Sequence, residues 1–233
     1  MAGAGAALIA TPSTGLTSER VRARMVERLR ELGVRDARVL AAMRRVERHR
    51  FVDPALASRA YEDTALPLGF GQTISQPYVV ARCAELALIG AGDPKNAAAL
   101  EVGTGCGYAA AILSELFGTV FSVERVRALH EQARVNLRPL RIAHLRLAFG
   151  DGLLGLPSEA PFGAIVSTAA ADDVPAAWVE QLAPGGVIVA PLGRDAQVLT
   201  VLLKSADGRL VRREHEPVRF VPLLRGTVTA DGR

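Results

Sequence analysis

The sequence predicts an α/β fold, a doubly wound and mostly parallel sheet with an N-terminal helical extension, and three observations predict it. Within residues 99–117 a short apolar run meets glycines at alternate positions, Gly103, Gly105 and Gly107, followed by an Ala/Leu-rich stretch with helical spacing. That is the strand, tight loop and helix that open a nucleotide-binding α/β unit, where glycine lets the backbone turn sharply and approach a ligand. From Ala98 onward, apolar runs ending at Glu101, Glu124, Asp151 and Thr168 alternate with helical stretches at about 108–117, 126–138 and 174–182. Ahead of them, Val21, Met25, Leu29 and Leu32 recur at helical spacing in an arginine-rich segment.

Composition narrows the class. The chain has 233 residues, 49% of them hydrophobic and 22% charged, which suits one globular domain with a sizeable core. No apolar run is long enough to span a membrane. The first eighteen residues hold no Lys or Arg, so a secretory signal would lack its charged start. We expect a cytoplasmic monomer with a disordered leader over 1–18, a helical extension over 19–97, the main α/β core over 98–226 and a flexible tail over 227–233. The pI near 9.6 raises the question of nucleic acid. Eleven arginines lie between Arg20 and Arg50, against five acids from Glu19 to Glu47, but no aromatic residues are interleaved for base stacking. Amphipathic helices with a solvated basic face account for them, so no nucleic-acid partner is expected. The two cysteines, Cys83 and Cys106, form no C-x-x-C pair and read as reduced, packed thiols.

Helices are expected at 19–32 and 36–46, the second burying Val39, Leu40, Met43 and Val46. Asp53-Pro54 reads as an N-cap with proline in the first turn of a short helix. Residues 61–77, dense in Gly, Pro and hydroxyls, read as a loop. It leads into a helix with Val79, Val80, Cys83, Leu86 and Ala87 on its apolar face. A turn at Ala91–Asn96 precedes the central strand. Pro184-Gly185-Gly186 ends the last core helix and starts a strand, Val187–Pro191. Further strands are expected at Gln197–Ser205, Leu210–Glu214 and Val218–Leu224, with a turn at Asp207-Gly208.

Ligands of such sheets bind at the carboxyl ends of the strands, where this reading places Glu101, Glu124, Asp151 and Thr168. Glu124, at the end of the second core strand, can accept both ribose hydroxyls of an adenosine, and Asp151-Gly152 lies where an acid can accept the adenine amino hydrogens. A dinucleotide enzyme would also carry an acid near Glu124. Two features favour another ligand. Tyr108 stands where the dinucleotide fingerprint wants Gly or Ala, and Glu101 sets a negative charge beside the loop, unsuited to pyrophosphate but suited to a cation. The adenosyl compound with a sulfonium and an amino group is S-adenosylmethionine, which makes the predicted fold a Rossmann-like methyltransferase. Each acid taken alone is also a plausible N-cap at a strand-to-helix turn.

The acceptor side is less direct. The Asn/Asp-Pro-Pro-aromatic element common among nitrogen methyltransferases is missing at Ser167–Ala171, and no metal-binding pattern is visible, with His49, His130, His144 and His215 scattered. A carboxylate fits as the acceptor, because it is already ionised at neutral pH and needs alignment rather than a base.

Four segments carry a resemblance. Asp-Thr-Ala-Leu-Pro-Leu-Gly-Phe-Gly-Gln-Thr-Ile-Ser-Gln-Pro-Tyr-Val-Val-Ala-Arg (63–82), Leu-Glu-Val-Gly-Thr-Gly-Cys-Gly-Tyr (100–108), Gly-Asp-Gly (150–152) and Val-Arg-Phe-Val-Pro-Leu (218–223) closely resemble the protein-L-isoaspartate O-methyltransferase family. The resemblance runs from about Arg20 to Arg225. It implies S-adenosylmethionine as co-substrate and methylation of the α-carboxylate of L-isoaspartyl residues in damaged proteins and peptides, which starts their repair through a succinimide. It assigns the active-site role to Ser75. Our reading is that Ser75, with Thr73, orients the substrate carboxylate, and that Val218 and its strand line an extended-peptide groove. Ser75 is equally a good N-cap for the helix that follows. The pattern departs at Gly163, where Asp is common, and at Cys106, where Ser is commoner. A methyltransferase acting on a small carboxylate or RNA would show the same cofactor site, and a non-catalytic binding domain would show a degraded one.

Overall fold

The computed structural model describes Gly15 and residues 18–90 and 92–229, so nearly all of the expected leader and the last four residues of the expected tail lie outside the described residues, as does Ala91. The extension forms α1 (Glu19–Glu31) and α2 (Ala37–Arg45), and Asp36 caps α2 by accepting the Arg38 and Val39 amides. Both bury the expected apolar faces, Met25 and Leu29 on one and Val39, Leu40 and Met43 on the other. Many of the arginines are paired: the part-buried Arg22 and the exposed Arg50 with Glu47, and the exposed Arg44 with Glu19 and Arg45 with Glu115. Arg48 is not part of a solvated face. It is 0% exposed, a correction to the reading of this segment as uniformly surface-basic. Asp53 caps the short turn Pro54–Arg59 through the Ala55 amide at 2.8 Å, and this turn is 3₁₀.

Residues 61–77 are more ordered than a loop. They contain an antiparallel hairpin, β1 (Leu66–Gly69) and β2 (Gln72–Ile74), in which buried Leu66 and Ile74 are cross-strand partners. Its tip holds Phe70 at φ 53° and Gly71 at φ 68°. A phenylalanine in the left-handed region is uncommon, so the glycines around it mark a loop without marking the hairpin turn. Then comes α3 (Pro77–Ala87), whose cap position is Gln76 rather than Ser75. Asp63 reaches over instead and accepts the Tyr78 amide at 2.8 Å. The alternative role of Ser75 as an N-cap is therefore taken by another residue.

The core runs β3 (Ala98–Val102), α4 (Tyr108–Leu116), β4 (Thr119–Glu124), α5 (Arg127–Leu137), β5 (Leu145–Phe149), β6 (Phe162–Ser167), α6 (Ala176–Gln181), β7 (Leu182–Leu192), β8 (Gln197–Lys204) and β9 (Leu210–Val218). The seven-stranded sheet has the order β5-β4-β3-β6-β7-β8-β9. Neighbours from β5 to β7 are parallel, and β8 and β9 are antiparallel. Alternate residues serve opposite faces: Ala99, Ala164, Val187 and Val189 pack under the N-terminal helices, α3 and α4, while Leu100, Ile165, Ile188 and Ala190 pack with Trp178 of α6. Such two-sided burial explains the continuous apolar runs that mark a parallel sheet. Among the described residues no helix is long and apolar enough to cross a membrane.

Three boundaries differ from expectation. Pro184-Gly185-Gly186 lies inside β7 and not before it, at a register irregularity against β6 that falls beside Gly163. Strand β9 runs on to Val218, but Val218–Leu224 is not a further strand: Pro222, which has no N–H to donate, makes only an isolated bridge with Ala170. The tail does not become free at residue 227, because the Val228 amide donates to the Arg125 carbonyl at 2.7 Å and its carbonyl accepts the Arg127 amide at 2.9 Å.

Candidate active site

The sheet order reverses beside β3, so its carboxyl end and that of β6 open a crevice between them. The glycine loop fills the rim of this crevice. Gly103 has φ 96°, and a Cβ there would lie 2.5 Å from the Thr168 hydroxyl oxygen, so the position admits no other residue without displacing Thr168. That hydroxyl donates to the Gly103 carbonyl at 2.5 Å, tying the end of β6 to the loop.

Glu124, 5% exposed, sits at the end of β4 facing the same crevice. One carboxylate oxygen accepts the Gly105 amide at 2.8 Å and the other the Val126 amide at 2.9 Å. The capping bonds do not exhaust the carboxylate, since each oxygen keeps a second lone pair. Gly152 lines the cleft too, held by the Trp178 indole, which donates to its carbonyl at 2.8 Å. Asp151 is engaged by protein: it accepts the Leu153 amide at 2.9 Å and the Gly226 amide at 2.6 Å, latching the C-terminal segment down.

Glu101 lies elsewhere than expected. It is 0% exposed, accepts the Ser122 hydroxyl, and is held behind the loop rather than in the cleft wall. Burial pushes its carboxyl up to about 8, with the nearby Glu124 carboxylate adding to the rise and the Ser122 bond opposing it. A group that is mostly protonated at neutral pH does not provide the negative charge that favoured a cationic ligand in the sequence, so that electrostatic argument falls. Burial likewise pushes the Cys106 thiol up to about 11, in keeping with a packing role.

The cleft has walls that were not read from the sequence. Val221, Pro222, Leu223 and Leu224 lie across it, leaving about 60 Å³ of space. The signal was present in Pro222, which argues against a strand, but the path over the site depends on the Asp151 and Arg125 attachments. Gln72 and Thr73 of the hairpin close the cleft from the other side. Beyond them opens a groove of about 320 Å³ with Thr73, Ser75, Val218 and Phe220 in its walls. Thr73 and Thr168 border both spaces. Neither Thr73 nor Ser75 spends its hydroxyl on a partner among the described residues. The groove is braced by Glu216, which accepts the Tyr78 hydroxyl at 3.0 Å and pairs with Arg82 at 3.3 Å, joining the end of β9 to α3. Among the described residues no group of three or more His, Cys, Asp or Glu side chains could hold a metal ion.

A glycine loop with no Cβ in the way and a carboxylate at the end of the next strand fit an adenosyl ligand, and the fold and site together are those of an S-adenosylmethionine-dependent methyltransferase. The family model described as Protein-L-isoaspartate(D-aspartate) O-methyltransferase matches residues 20–228, and the chain belongs to that family. A protein-L-isoaspartate O-methyltransferase of Methylibium petroleiphilum is 54% identical over 216 residues, covering 91% of this chain and 80% of the relative. One of Burkholderia mallei is 57% identical over 215 residues, of which the chain covers 91% of itself and 66% of the relative. A solved protein-L-isoaspartate O-methyltransferase superimposes with a TM-score of 0.76 at 31% identity, over 86% of this chain and 65% of that one. A Plasmodium falciparum structure described as a putative member of the family, in complex with S-adenosyl-L-homocysteine, gives 0.75 at 25% identity over 87% of this chain and 98% of that one.

Proposed function

We propose that the chain methylates the free α-carboxylate of L-isoaspartyl residues in damaged proteins and peptides, with Ser75 and Thr73 as the groups that orient the carboxylate. One observation carries this reading: the adenosyl cleft and the peptide-sized groove meet at Thr73 and Thr168, with the Ser75 hydroxyl in the groove wall. S-adenosylmethionine, when bound, supplies an electrophilic methyl group on a sulfonium. Glu124 holds its ribose, Gly103 and Gly105 let it lie close to the backbone, and Gly152, backed by Asp151, borders its adenine. Gly107 turns the loop into α4, and Thr168 keeps the loop's floor in register. Glu101 supports the loop from behind rather than touching the ligand.

The acceptor needs no base, because a carboxylate is ionised at neutral pH. Ser75 acts as a hydrogen-bond donor and not as a nucleophile, having no partner to take its proton. Opposite charges cancel as an anion attacks a sulfonium, so a dry apolar setting speeds the step. Val79, Phe220, Ala109 and Val166 supply that setting around Ser75. Val218 borders the groove along which an extended peptide backbone lies. The ester formed has a far better leaving group than the carboxylate, and attack by the neighbouring backbone nitrogen then expels methanol and closes the succinimide without the enzyme. Hydrolysis returns part of it to aspartate. We take the protein to act in the cytoplasm as a monomer, without a nucleic-acid partner. The extensive pairing of the N-terminal arginines supports the last point.

The test is methyl transfer from labelled S-adenosylmethionine to an isoaspartyl peptide and to its aspartyl twin. Strong labelling of the first alone is expected. Equal labelling, or none of either, overturns the proposal.

A further inference from the structure

Arg48 is the most conspicuous buried group that the proposed chemistry does not use. It is 0% exposed, yet among the described residues no carboxylate pairs with it and its Nη1 has no hydrogen-bond partner. Its Nε donates to the Ala60 carbonyl at 2.7 Å and its Nη2 reaches the Thr64 carbonyl at 3.4 Å. The guanidinium carbon stands 5.0 Å from the centre of the Tyr108 ring. Tyr108 is the first residue of α4, directly after Gly107, and is itself 1% exposed with its edge against Phe51.

These attachments connect two places that have to be registered with each other. Ala60 and Thr64 bracket the turn that leads into β1, and between them lies Asp63, which caps α3. The hairpin they launch carries Thr73 and ends just before Ser75. A two-stranded hairpin is marginal by itself and takes its position from what it is tied to. Tyr108 belongs to the opposite wall, where the glycine loop becomes helix. Arg48 spans from one to the other.

Packing alone does not account for a guanidinium here. Burying a cation without a carboxylate is costly, and an apolar side chain of similar length would fill the volume without that cost. What the apolar chain lacks is a rigid fork able to hold two carbonyls while its flat face rests on a ring. We propose, building on the methyl-transfer reading above, that Arg48 is a positioning residue that registers the substrate hairpin, and through it Thr73 and Ser75, against the cofactor loop.

The test uses Arg48→Met and Arg48→Lys in the full chain, with two readouts. By hydrogen-exchange mass spectrometry, Arg48→Met is expected to speed exchange across residues 61–76 while leaving 98–124 as in the wild type. With an isoaspartyl peptide, kcat is expected to fall roughly tenfold or more, the scale of effect that misplacing a reacting group produces. The Kd for S-adenosylmethionine should rise by clearly less than kcat falls, since the hairpin supplies only one side of the cleft and the glycine loop keeps its own bonds to Glu124. Arg48→Lys retains the charge over Tyr108 but not the fork, and should fall between. Wild-type exchange in 61–76 together with wild-type kcat per folded molecule overturns the proposal. So does exchange that rises uniformly through the sheet, which would mark Arg48 as an ordinary core residue. Should Arg48→Met not fold, Arg48→Lys carries both readouts alone. The exchange result is independent of substrate, so a wild-type enzyme that ignores isoaspartyl peptides would sink the functional reading and leave this one to be judged on the hairpin.

Discussion

The two walls of the site are built on opposite principles. On the cofactor wall, polar groups are already engaged: Glu124 takes the Gly105 and Val126 amides, Asp151 takes the Leu153 and Gly226 amides, and Thr168 donates to the Gly103 carbonyl. On the proposed substrate wall, the hydroxyls of Thr73 and Ser75 are unspent among the described residues, and the hairpin that carries the first is held from outside by Arg48 and Asp63. The difference teaches what each wall is for. A wall that meets the same cofactor in every cycle gains from being rigid before the ligand arrives. In the proposed function, a wall that receives many different peptides leaves donors free, so that the substrate carboxylate completes their hydrogen bonding.

The contrast can be broken by substitution, with the largest effect on the substrate wall. Ser75→Ala removes a donor that no group among the described residues uses, so kcat for an isoaspartyl peptide should fall roughly a hundredfold with folding and cofactor affinity unchanged. A loss of thermal stability comparable to that of a core mutant would place Ser75 among the structural groups instead. Glu124→Ala comes next. It removes the proposed ribose acceptor and also strands two backbone amides, so the cofactor Kd should rise roughly tenfold or more, with a measurable drop in Tm. Calorimetry giving an unchanged Kd would move the ribose away from Glu124.

Glu101→Gln should affect turnover least, within about twofold at neutral pH, because the wild-type side chain is already mostly protonated there. Its effect is on stability against pH. The folded carboxyl titrates at about 8 and the ordinary value is 4.5, so the stability from its burial is complete below pH 4.5 and is lost as pH rises through about 8. Across that window the wild type should lose on the order of 1.4 kcal/mol per pH unit relative to Glu101→Gln. Parallel urea-unfolding curves for the two proteins from pH 5 to pH 8 would show that Glu101 is ionised in the folded chain.

Much of the molecule was legible in the residues. The parallel sheet announced itself in Val and Ile runs buried on both faces, and the crevice in the spacing of Gly103, Gly105 and Gly107. The hairpin at 66–74 was not legible, because its pattern of buried positions is only Leu66 and Ile74 and its turn uses Phe70 where glycine or asparagine is usual. The burial of Arg48 was equally hidden. An arginine in a basic stretch reads as solvent-facing, and only the carbonyls of Ala60 and Thr64 and the ring of Tyr108, distant in sequence, give it an interior place.

Sequence by itself determined the order of elements, the cofactor loop and the identity of the residues at the strand ends, since each rests on short-range periodicity and backbone geometry. Tertiary structure decided which of those residues face the cleft. It turned Glu101 inward, where burial removes its charge, kept Glu124 in the wall, and bent Val221–Leu224 across the opening. Those outcomes depend on desolvation and on hydrogen bonds between segments up to about a hundred residues apart, as from Arg125 to Gly226, and no local pattern encodes them.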